Sequence, residues 1–548
     1  MTRRAGAAAH WAGCGIVAIV CALLAARPCL TQPITPRYTL TPDQWREDLT
    51  AMMRALARRH PGLYRTTRPA SFDSATKALD ARIPSLARHE IILEMARIIA
   101  LAGDGHTTIA PTRDPAIGFR ALPIALYLFR DGLYVRRAHR IHADLAGARV
   151  QRIGGASIDE AFRRVRPYIA HDNEMGVRHL APEYLTMAEV LHAVKLAPGT
   201  DSVLFELEVN GTPREVWLRP VGPIDVTTGD ADASWFRKAD WVESRDAAGG
   251  NEPLWVSRDA EHVPWWFVAD PGSRAVYVQI NQLRNGPSET FADFTGRLFA
   301  AIDSLQPERL VLDLRLSRGG DAALFRPLVQ GVLRRPNVNA RGKLLVLVGR
   351  ATWAAADLLV DELRKYGEVT VIGEPSASSG RYQGVSTVRL PNSLITVRIG
   401  SVYWHATPSE NPSSWTVPDI GIVPTAAQFF RNEDPVLSAA LSHVPGPSLA
   451  EQIRQAITSG DTAAARMRLE AFRSDSSNQF VDARLSLDSA AMHFLERREY
   501  DRAIAILELA VMEFPDAPRA YASLSAAYLA KARAQKPPTV AEGAEPEP

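Results

Sequence analysis

The sequence predicts a multidomain α/β protein in which a helical cap, a β-rich domain and an α/β core precede an all-α C-terminal repeat. Three observations support this prediction. The chain has 548 residues, enough for about three to four domains of ordinary size. Apolar runs of strand length alternate with helical patterns between residues 252 and 442. After Asp434 the pattern is helical throughout, which separates the C-terminal region from the core.

The composition is that of an ordinary globular protein. Hydrophobic residues make up 46% of the chain, charged residues make up 23%, and the formal net charge is +2. A charge so close to zero is not typical of a nucleic-acid binder, so we expect no nucleic-acid partner. The 13 histidines are scattered, without a His-Glu-x-x-His spacing, and no Gly-rich phosphate loop follows a strand. The sequence therefore predicts neither a metal site nor another cofactor.

Residues 1–31 have the pattern of a secretory signal peptide. Arg3 and Arg4 give a positive start, and the apolar run 16–26 is shorter than the about 20 residues of a membrane span. All cysteines lie in this segment, at Cys14, Cys21 and Cys29. A mature chain without thiols suits an oxidising compartment, so we expect a periplasmic or secreted protein with no membrane span after signal removal. An uncleaved segment would instead anchor the protein, and a lipoprotein is disfavoured because Pro28 precedes the third cysteine.

A helical cap is predicted over residues 38–112. Apolar positions recur every three or four residues in 43–60, 71–86 and 89–102, which is the spacing of one helix face. The cap ends at Gly103-Asp104-Gly105-His106, where the glycines permit a tight turn.

A β-rich domain with one helical insert is predicted over residues 119–221. Asn210-Gly211 separates two apolar runs, which is a strong signal for a hairpin. A linker rich in Gly, Asp and Pro is predicted over 222–251. The α/β core follows over 252–442.

The C-terminal region, residues 449–534, has an internal repeat signal. Tyr521 and Tyr528 follow Leu487 and Phe494 by 34 residues, which is the length of a tetratricopeptide unit. A generic helical hairpin is the alternative interpretation. Residues 535–548 are rich in Pro, Glu and Ala, and are predicted to be disordered.

Three stretches could carry chemistry. The turn at Asp104–Thr107 contains His106, and a neutral imidazole is the usual general base, although a lone histidine is more often structural. A second turn, at Gly319-Gly320, lies between an apolar strand and a helix, where free amides form either an oxyanion hole or an anion site. A third strand-to-helix turn, at 349–359, offers Thr352 as its only hydroxyl.

Together these stretches resemble the tail-specific, or C-terminal processing, serine peptidases, which include the tricorn core proteases. The resemblance spans most of residues 41–441. Its most specific parts are Asp-Gly-His-Thr, Asp-Leu-Arg-x-x-x-Gly-Gly and the later Val371-Ile372-Gly373-Glu374-Pro375. Residues 119–221 resemble the divergent PDZ-like domain common in such proteins.

This resemblance implies a role for several residues. His106 is the expected base, and the amides of Gly319, Gly320 and Ala355 are the expected oxyanion hole. The family places its nucleophile in a Thr-Phe-Ser-Ala-Ala sequence, which here is Thr352-Trp353-Ala354-Ala355-Ala356. The nucleophile position therefore holds Ala354, whose methyl group cannot attack a carbonyl.

Other polar positions of the family pattern also differ. Ser317 replaces the usual asparagine before the double glycine, and Ser379 stands where serine-lysine relatives carry lysine. Ser376-Ala377-Ser378 replaces Thr-Gly-Gly, and Val385 replaces an acidic residue. The remaining candidates for the cleft are Asp104, Ser317, Thr352, Ser376, Ser378 and Ser379.

The leading hypothesis is a peptidase-fold protein that binds peptides or protein tails in its cleft and PDZ-like domain without hydrolysis. The first alternative is an active serine endopeptidase that cleaves the C-terminal regions of proteins with a displaced serine, which would need new geometry to His106. The second is an interaction scaffold that binds an unidentified protein partner through its helical repeats.

Overall fold

The computed structural model describes residues 39–111, 114–221, 240–260, 262–270, 274–404 and 415–535. The predicted signal peptide, most of the predicted linker and, apart from Gln535, the predicted disordered tail lie outside these residues. No helix among the described residues is long and apolar enough to cross a membrane. All described residues belong to one compact unit.

Three helices form the N-terminal region. They are α1 (Pro42–Arg59), α2 (Pro69–Arg82) and α3 (Arg88–Ala100). Helix α1 begins with a capping box, because the Thr41 hydroxyl accepts the amide of Gln44 while the Gln44 side chain accepts the amide of Thr41. Helix α3 is buried on most of its faces, and it leads directly into the turn that carries His106.

A seven-stranded sheet occupies the β-rich region. Its strands are β1 (Ile124–Phe129), β2 (Gly132–His139), β3 (Arg149–Ile153), β4 (Ala156–Ser157), β5 (Val203–Val209), β6 (Thr212–Leu218) and β7 (Trp241–Glu243). The order is β1-β2-β3-β5-β6, with β4 paired to β3 and β7 paired to β2. Helices α4 (Ile158–Val165), α5 (Glu174–Tyr184) and α6 (Ala188–Ala193) lie between β4 and β5. Strand β7 falls within the predicted linker, so that part of the linker is a strand of the sheet.

The α/β core is built on a six-stranded sheet in the order β15-β12-β11-β10-β9-β8. The strands are β8 (Trp265–Asp270), β9 (Ala275–Ile280), β10 (Arg309–Asp313), β11 (Leu344–Val348), β12 (Val369–Gly373) and β15 (Ile420–Gly421). All neighbours pair in parallel except β8 with β9. Strand β11 is buried at every position, which explains its continuous apolar run.

Helices surround this sheet, and a separate hairpin stands beside it. The helices are α7 (Phe291–Leu305), α8 (Arg326–Leu333), α9 (Ala355–Tyr366), α10 (Ala426–Phe430) and α11 (Pro435–Ser442). The hairpin consists of β13 (Tyr382–Arg389) and β14 (Thr396–Tyr403). Thr108 and Arg398 exchange backbone hydrogen bonds of 2.9 and 3.0 Å, so the hairpin is attached to the segment that follows His106.

Five helices form the C-terminal region. They are α12 (Leu449–Thr458), α13 (Thr462–Ser474), α14 (Ala483–Glu496), α15 (Tyr500–Glu513) and α16 (Pro518–Gln535). Leu487 and Phe494 are buried, whereas Tyr521 and Tyr528 on α16 are 48% and 47% exposed. The tyrosines that match the 34-residue spacing therefore lack the burial of their counterparts, and the tetratricopeptide assignment stays a prediction.

A buried carboxylate connects α1 to the hairpin. The Asp48 side chain is fully buried, and its two oxygens accept the amides of Asn392 and Ser393 at 2.8 Å each. These amides belong to the turn between β13 and β14, so the carboxylate holds the hairpin against the N-terminal helices.

Replacing Asp48 by alanine is expected to destabilise the protein, because both turn amides lose their acceptor. Each buried donor left unpaired costs about 1–3 kcal/mol. Urea denaturation measures the effect, with Asp43→Ala as control, since the Asp43 side chain is 91% exposed and a surface ion pair contributes about 1 kcal/mol at most. Equal free energies of unfolding for the two variants would show that the hydrogen bonds of Asp48 to the turn amides do not stabilise the protein.

Candidate functional site

The turn after β11 is held by the hydroxyl of Thr352. This side chain is fully buried, donates to the Leu314 carbonyl at 2.8 Å and accepts the Gly349 amide at 3.0 Å. Thr352 was a sequence candidate for the cleft, but its hydroxyl is used inside the turn. Its role is to fix the path of the chain from β11 to α9.

Ala354 has a backbone conformation that is rare for a residue with a side chain. Its φ is +54° and its ψ is −115°, at the residue that immediately precedes α9. Such conformations cost about 1–3 kcal/mol and persist only where surrounding contacts enforce them. The strained turn is thus present at the position where the family resemblance places a nucleophile, with a methyl group as its side chain.

The double glycine packs directly against this turn. Gly319 and Gly320 have φ of +77° and +127°, and a Cβ on Gly319 would lie 2.6 Å from the Trp353 carbonyl oxygen. The Trp353 amide donates to the Ser317 carbonyl at 2.9 Å. Only glycine fits this close approach, which brings the predicted oxyanion-hole residues together.

The three predicted oxyanion-hole residues differ in their exposure to the cleft. Gly320 lines the cleft, whereas Gly319 and Ala355 do not. Within the part of the chain that the structure describes, the amides of Gly319, Gly320 and Ala355 have no hydrogen-bond acceptor. Their assignment as an oxyanion hole stays a prediction.

His106 is buried, and its two ring nitrogens differ in their hydrogen bonding. Its Nε2 accepts the indole N–H of Trp353 at 3.1 Å, and its Nδ1 makes no hydrogen bond within the described residues. Burial lowers the pKa of His106, while the charges of Asp172 and Asp104 raise it to a smaller extent. The imidazole is therefore neutral at pH 7, as a general base must be.

Asp104 is engaged by a different histidine. Its Oδ2 accepts from His60 Nε2 at 2.8 Å, and its Oδ1 accepts the amides of His106 and Thr107 at 2.8 Å each. His60 Nδ1 accepts the Gly62 amide, so the His60 proton lies on Nε2. The carboxylate of Asp104 thereby fixes the turn that carries His106.

Asp172 belongs to the site, although it is not among the residues that the sequence predicts there. Its Oδ1 accepts the Gly105 amide at 2.5 Å, and its Oδ2 accepts the Ser379 amide at 2.6 Å and the Ser379 hydroxyl at 2.8 Å. The residue lies just before α5, far along the chain from both partners, and no motif marks it. Only the folded chain shows that it joins the histidine turn to the loop after β12.

Asp104, His106 and Asp172 form a cluster that the histidine spacing did not predict. One side-chain donor atom from each residue lies within 4.8 Å of those of the other two. Two carboxylates and an imidazole are donors that zinc accepts. Both oxygens of each carboxylate and Nε2 of the histidine accept hydrogen bonds, whereas His106 Nδ1 has no partner within the described residues.

The candidate serines make no hydrogen bond to His106 within the described residues. The Ser376 hydroxyl donates to the Ser378 carbonyl at 2.8 Å, and the Ser378 hydroxyl accepts the Ala354 amide at 3.1 Å. Ser379 donates to Asp172, and the Ser317 hydroxyl is buried without a partner within the described residues. A displaced serine therefore has no hydrogen bond to the expected base in this structure.

The cleft in front of these residues has a volume of about 280 Å³. His106, Trp353 and Ala354 form one part of its wall, and Gln383 and Val385 of β13 form another. Side chains of both charge signs also line it, namely Arg318, Arg398 and Glu183. The cleft thus offers polar and apolar contacts around Ala354.

Asp357 lies in the first turn of α9, below Ala354. Its Oδ1 accepts the Thr416 hydroxyl at 2.7 Å, while Oδ2 is buried without a partner within the described residues. Burial raises the pKa of Asp357 from its ordinary value of 3.8 to about 7, against the opposing effect of nearby hydroxyls.

Comparison with known proteins identifies the fold. No family model and no curated protein sequence matches the chain. The crystal structure of a serine-to-alanine mutant of CPAF is 12% identical and covers 74% of this chain and 99% of that chain, with a TM-score of 0.52. Mature CPAF complexed with lactacystin is 13% identical and covers 74% of this chain and 98% of that chain, with a TM-score of 0.50. The protein has the mixed α/β fold of the tail-specific proteases, which confirms the family resemblance at the level of the fold.

Replacing Asp357 by asparagine is expected to make the free energy of unfolding depend less on pH, because the titrating carboxyl is removed. The folded state favours the protonated carboxyl, so its stabilising contribution is complete below about pH 4 and is lost as the pH rises through about 7. The slope for one group is at most about 1.4 kcal/mol per pH unit. Free energies of unfolding measured at pH 5 and pH 8 should show that Asp357→Asn loses less stability over this interval than the native protein. Parallel pH profiles would contradict the raised pKa.

Proposed function

We propose that this protein is an exported, peptidase-fold protein that binds peptides or protein tails in its cleft without hydrolysing them. The observation that carries this proposal is Ala354, which occupies the strained turn before α9 in place of a nucleophile. A methyl group has no lone pair to attack a carbonyl and no proton acidic enough for an imidazole to remove. Loss of the nucleophile from a catalytic triad removes most of its rate enhancement.

The hydrogen bonds of the site support the same conclusion. No hydroxyl among the described residues donates to His106, and the nearby serines are bonded elsewhere or buried. An active peptidase with a displaced nucleophile would require one of these side chains to leave its present partner.

The open cleft supports retention of binding. Its volume of about 280 Å³ accommodates a few side chains of an extended peptide, and its wall includes the β13 residues Gln383 and Val385. Strand β6 pairs only with β5 among the described strands and is largely exposed, so it is a second place where an extended tail could add by backbone hydrogen bonds. Export rests on the pattern of residues 1–31, which lie outside the described residues.

Filling the cleft should weaken peptide binding. Ala110 lines the cleft, and Ala110→Trp is expected to reduce the affinity for fluorescein-labelled β-casein, an unfolded protein, by at least about tenfold, or about 1.4 kcal/mol. Fluorescence anisotropy measures the affinity. The control is Ala292→Trp, on the exposed face of α7, which should bind as the native protein does. Equal affinities for the two variants, or no binding by the native protein, would contradict the proposal.

A second candidate function places binding on the C-terminal helices. Tyr521, Tyr528 and Leu529 of α16 are exposed by 48%, 47% and 55%. Their spacing of seven and eight residues places them near one face of the helix. The variant Tyr521→Glu separates the two candidates. Reduced casein binding in this variant, together with normal binding in Ala110→Trp, would show that the C-terminal helices, and not the cleft, bind the unfolded protein.

A further inference from the structure

We propose that Trp353 is a positioning residue that occupies the hydrogen-bonding site of His106, so that a serine restored at position 354 would not find a free base. This inference concerns the chemistry of the site alone. It holds whether or not the cleft binds peptides, so its failure and the failure of the proposed function are separate results.

The indole and the imidazole meet in a single direct contact. Trp353 Nε1 lies 3.1 Å from His106 Nε2, and the two ring centroids are 5.4 Å apart with an interplanar angle of 43°. An indole N–H can only donate, so Nε2 must be unprotonated and must accept. The proton of the neutral imidazole therefore lies on Nδ1.

A serine-histidine pair needs the same nitrogen. In such a pair the serine hydroxyl donates to the unprotonated nitrogen of the imidazole, which then takes the proton during attack. That nitrogen has one lone pair in the plane of the ring, and the Trp353 indole already uses it. The two hydrogen bonds therefore exclude each other.

The position of the indole is fixed by the surrounding backbone. A Cβ on Gly105 would lie 2.4 Å from Trp353 Cη2, so the glycine makes room for the ring. The Trp353 amide donates to the Ser317 carbonyl at 2.9 Å, which holds the main chain of the same residue. The indole is thus held at both its ring and its backbone.

The departures from the family pattern at positions 353 and 354 compensate each other. The pattern that this chain resembles has phenylalanine followed by serine, where the chain has Trp353 followed by Ala354. Loss of the hydroxyl would leave His106 Nε2 as a buried acceptor without a donor, which is unfavourable. Phenylalanine offers no donor, whereas tryptophan supplies one from the adjacent residue.

The second ring nitrogen of His106, Nδ1, has no hydrogen-bond acceptor within the described residues that would orient the imidazole for catalysis. Asp172 and Asp104 face the imidazole together with Arg398, and their charges act on its titration. His106 Nδ1 nevertheless forms no hydrogen bond within the described residues. Among the described residues, the hydrogen bond from Trp353 is therefore the one that orients the imidazole of His106.

Fluorophosphonate labelling tests whether the indole blocks the base. In this reaction the serine Oγ forms a bond to phosphorus, the P–F bond breaks, fluoride leaves, and the serine proton passes to His106 Nε2. We expect the double variant Ala354→Ser with Trp353→Phe to be labelled at least about tenfold faster than Ala354→Ser alone. Trp353→Phe alone serves as the control and should remain unlabelled at this position. Equal labelling of the two serine variants, including no labelling of either, would overturn the blocking role.

Histidine titration followed by NMR gives a readout that does not depend on a new nucleophile. The indole N–H stabilises the unprotonated Nε2, so Trp353→Phe should move the titration midpoint of His106 to higher pH. The control Trp217→Phe, at a side chain that is 55% exposed, should leave it unchanged. An unchanged midpoint in Trp353→Phe would overturn the proposed hydrogen bond.

Discussion

The close approach of the Gly319 backbone to residues 353–355 is the constraint on which the candidate site depends. No side chain fits between the two turns, because a Cβ on Gly319 would lie 2.6 Å from the Trp353 carbonyl and 2.8 Å from the Ala355 amide. Ala354, with its positive φ, and the start of α9 lie directly at this contact. The strained turn before α9 thus carries Ala354 at the position where the family resemblance predicts a nucleophile.

Polar side chains attach the other parts of the site to this centre. Asp104 fixes the turn that carries His106, and Asp172 connects that turn to the loop after β12. Asp48 holds the β13–β14 hairpin, which forms another wall of the cleft. Asp48 and Asp172 accept backbone amides from segments distant in the chain, whereas Asp104 accepts the amides of its own turn and the distant side chain of His60. The walls of the cleft are therefore joined by buried carboxylates.

The sequence predicted the mixed α/β fold because buried strands and tight turns are local patterns. The buried strands are continuous apolar runs, and the Gly319-Gly320 turn and the Thr352–Ala356 stretch are short motifs that keep their order in the chain. Strand β7 and Asp172 were missed for the opposite reason, since three residues of strand and one carboxylate acquire their partners only through folding. The contact between Trp353 and His106 was likewise hidden, because it joins side chains from two separate motifs.

Isotope incorporation from water tests most directly whether the cleft has lost hydrolysis. The native protein would be incubated with an unfolded protein substrate, β-casein, in water enriched in oxygen-18, and the resulting mixture analysed by mass spectrometry. A hydrolysed peptide bond takes one oxygen from water into the new carboxylate. A cleft with Ala354 at the nucleophile position predicts no new carboxylate that carries the isotope. Labelled carboxylates that persist after Ala110→Trp would indicate a contaminating protease, whereas labelled carboxylates lost in that variant would contradict the account.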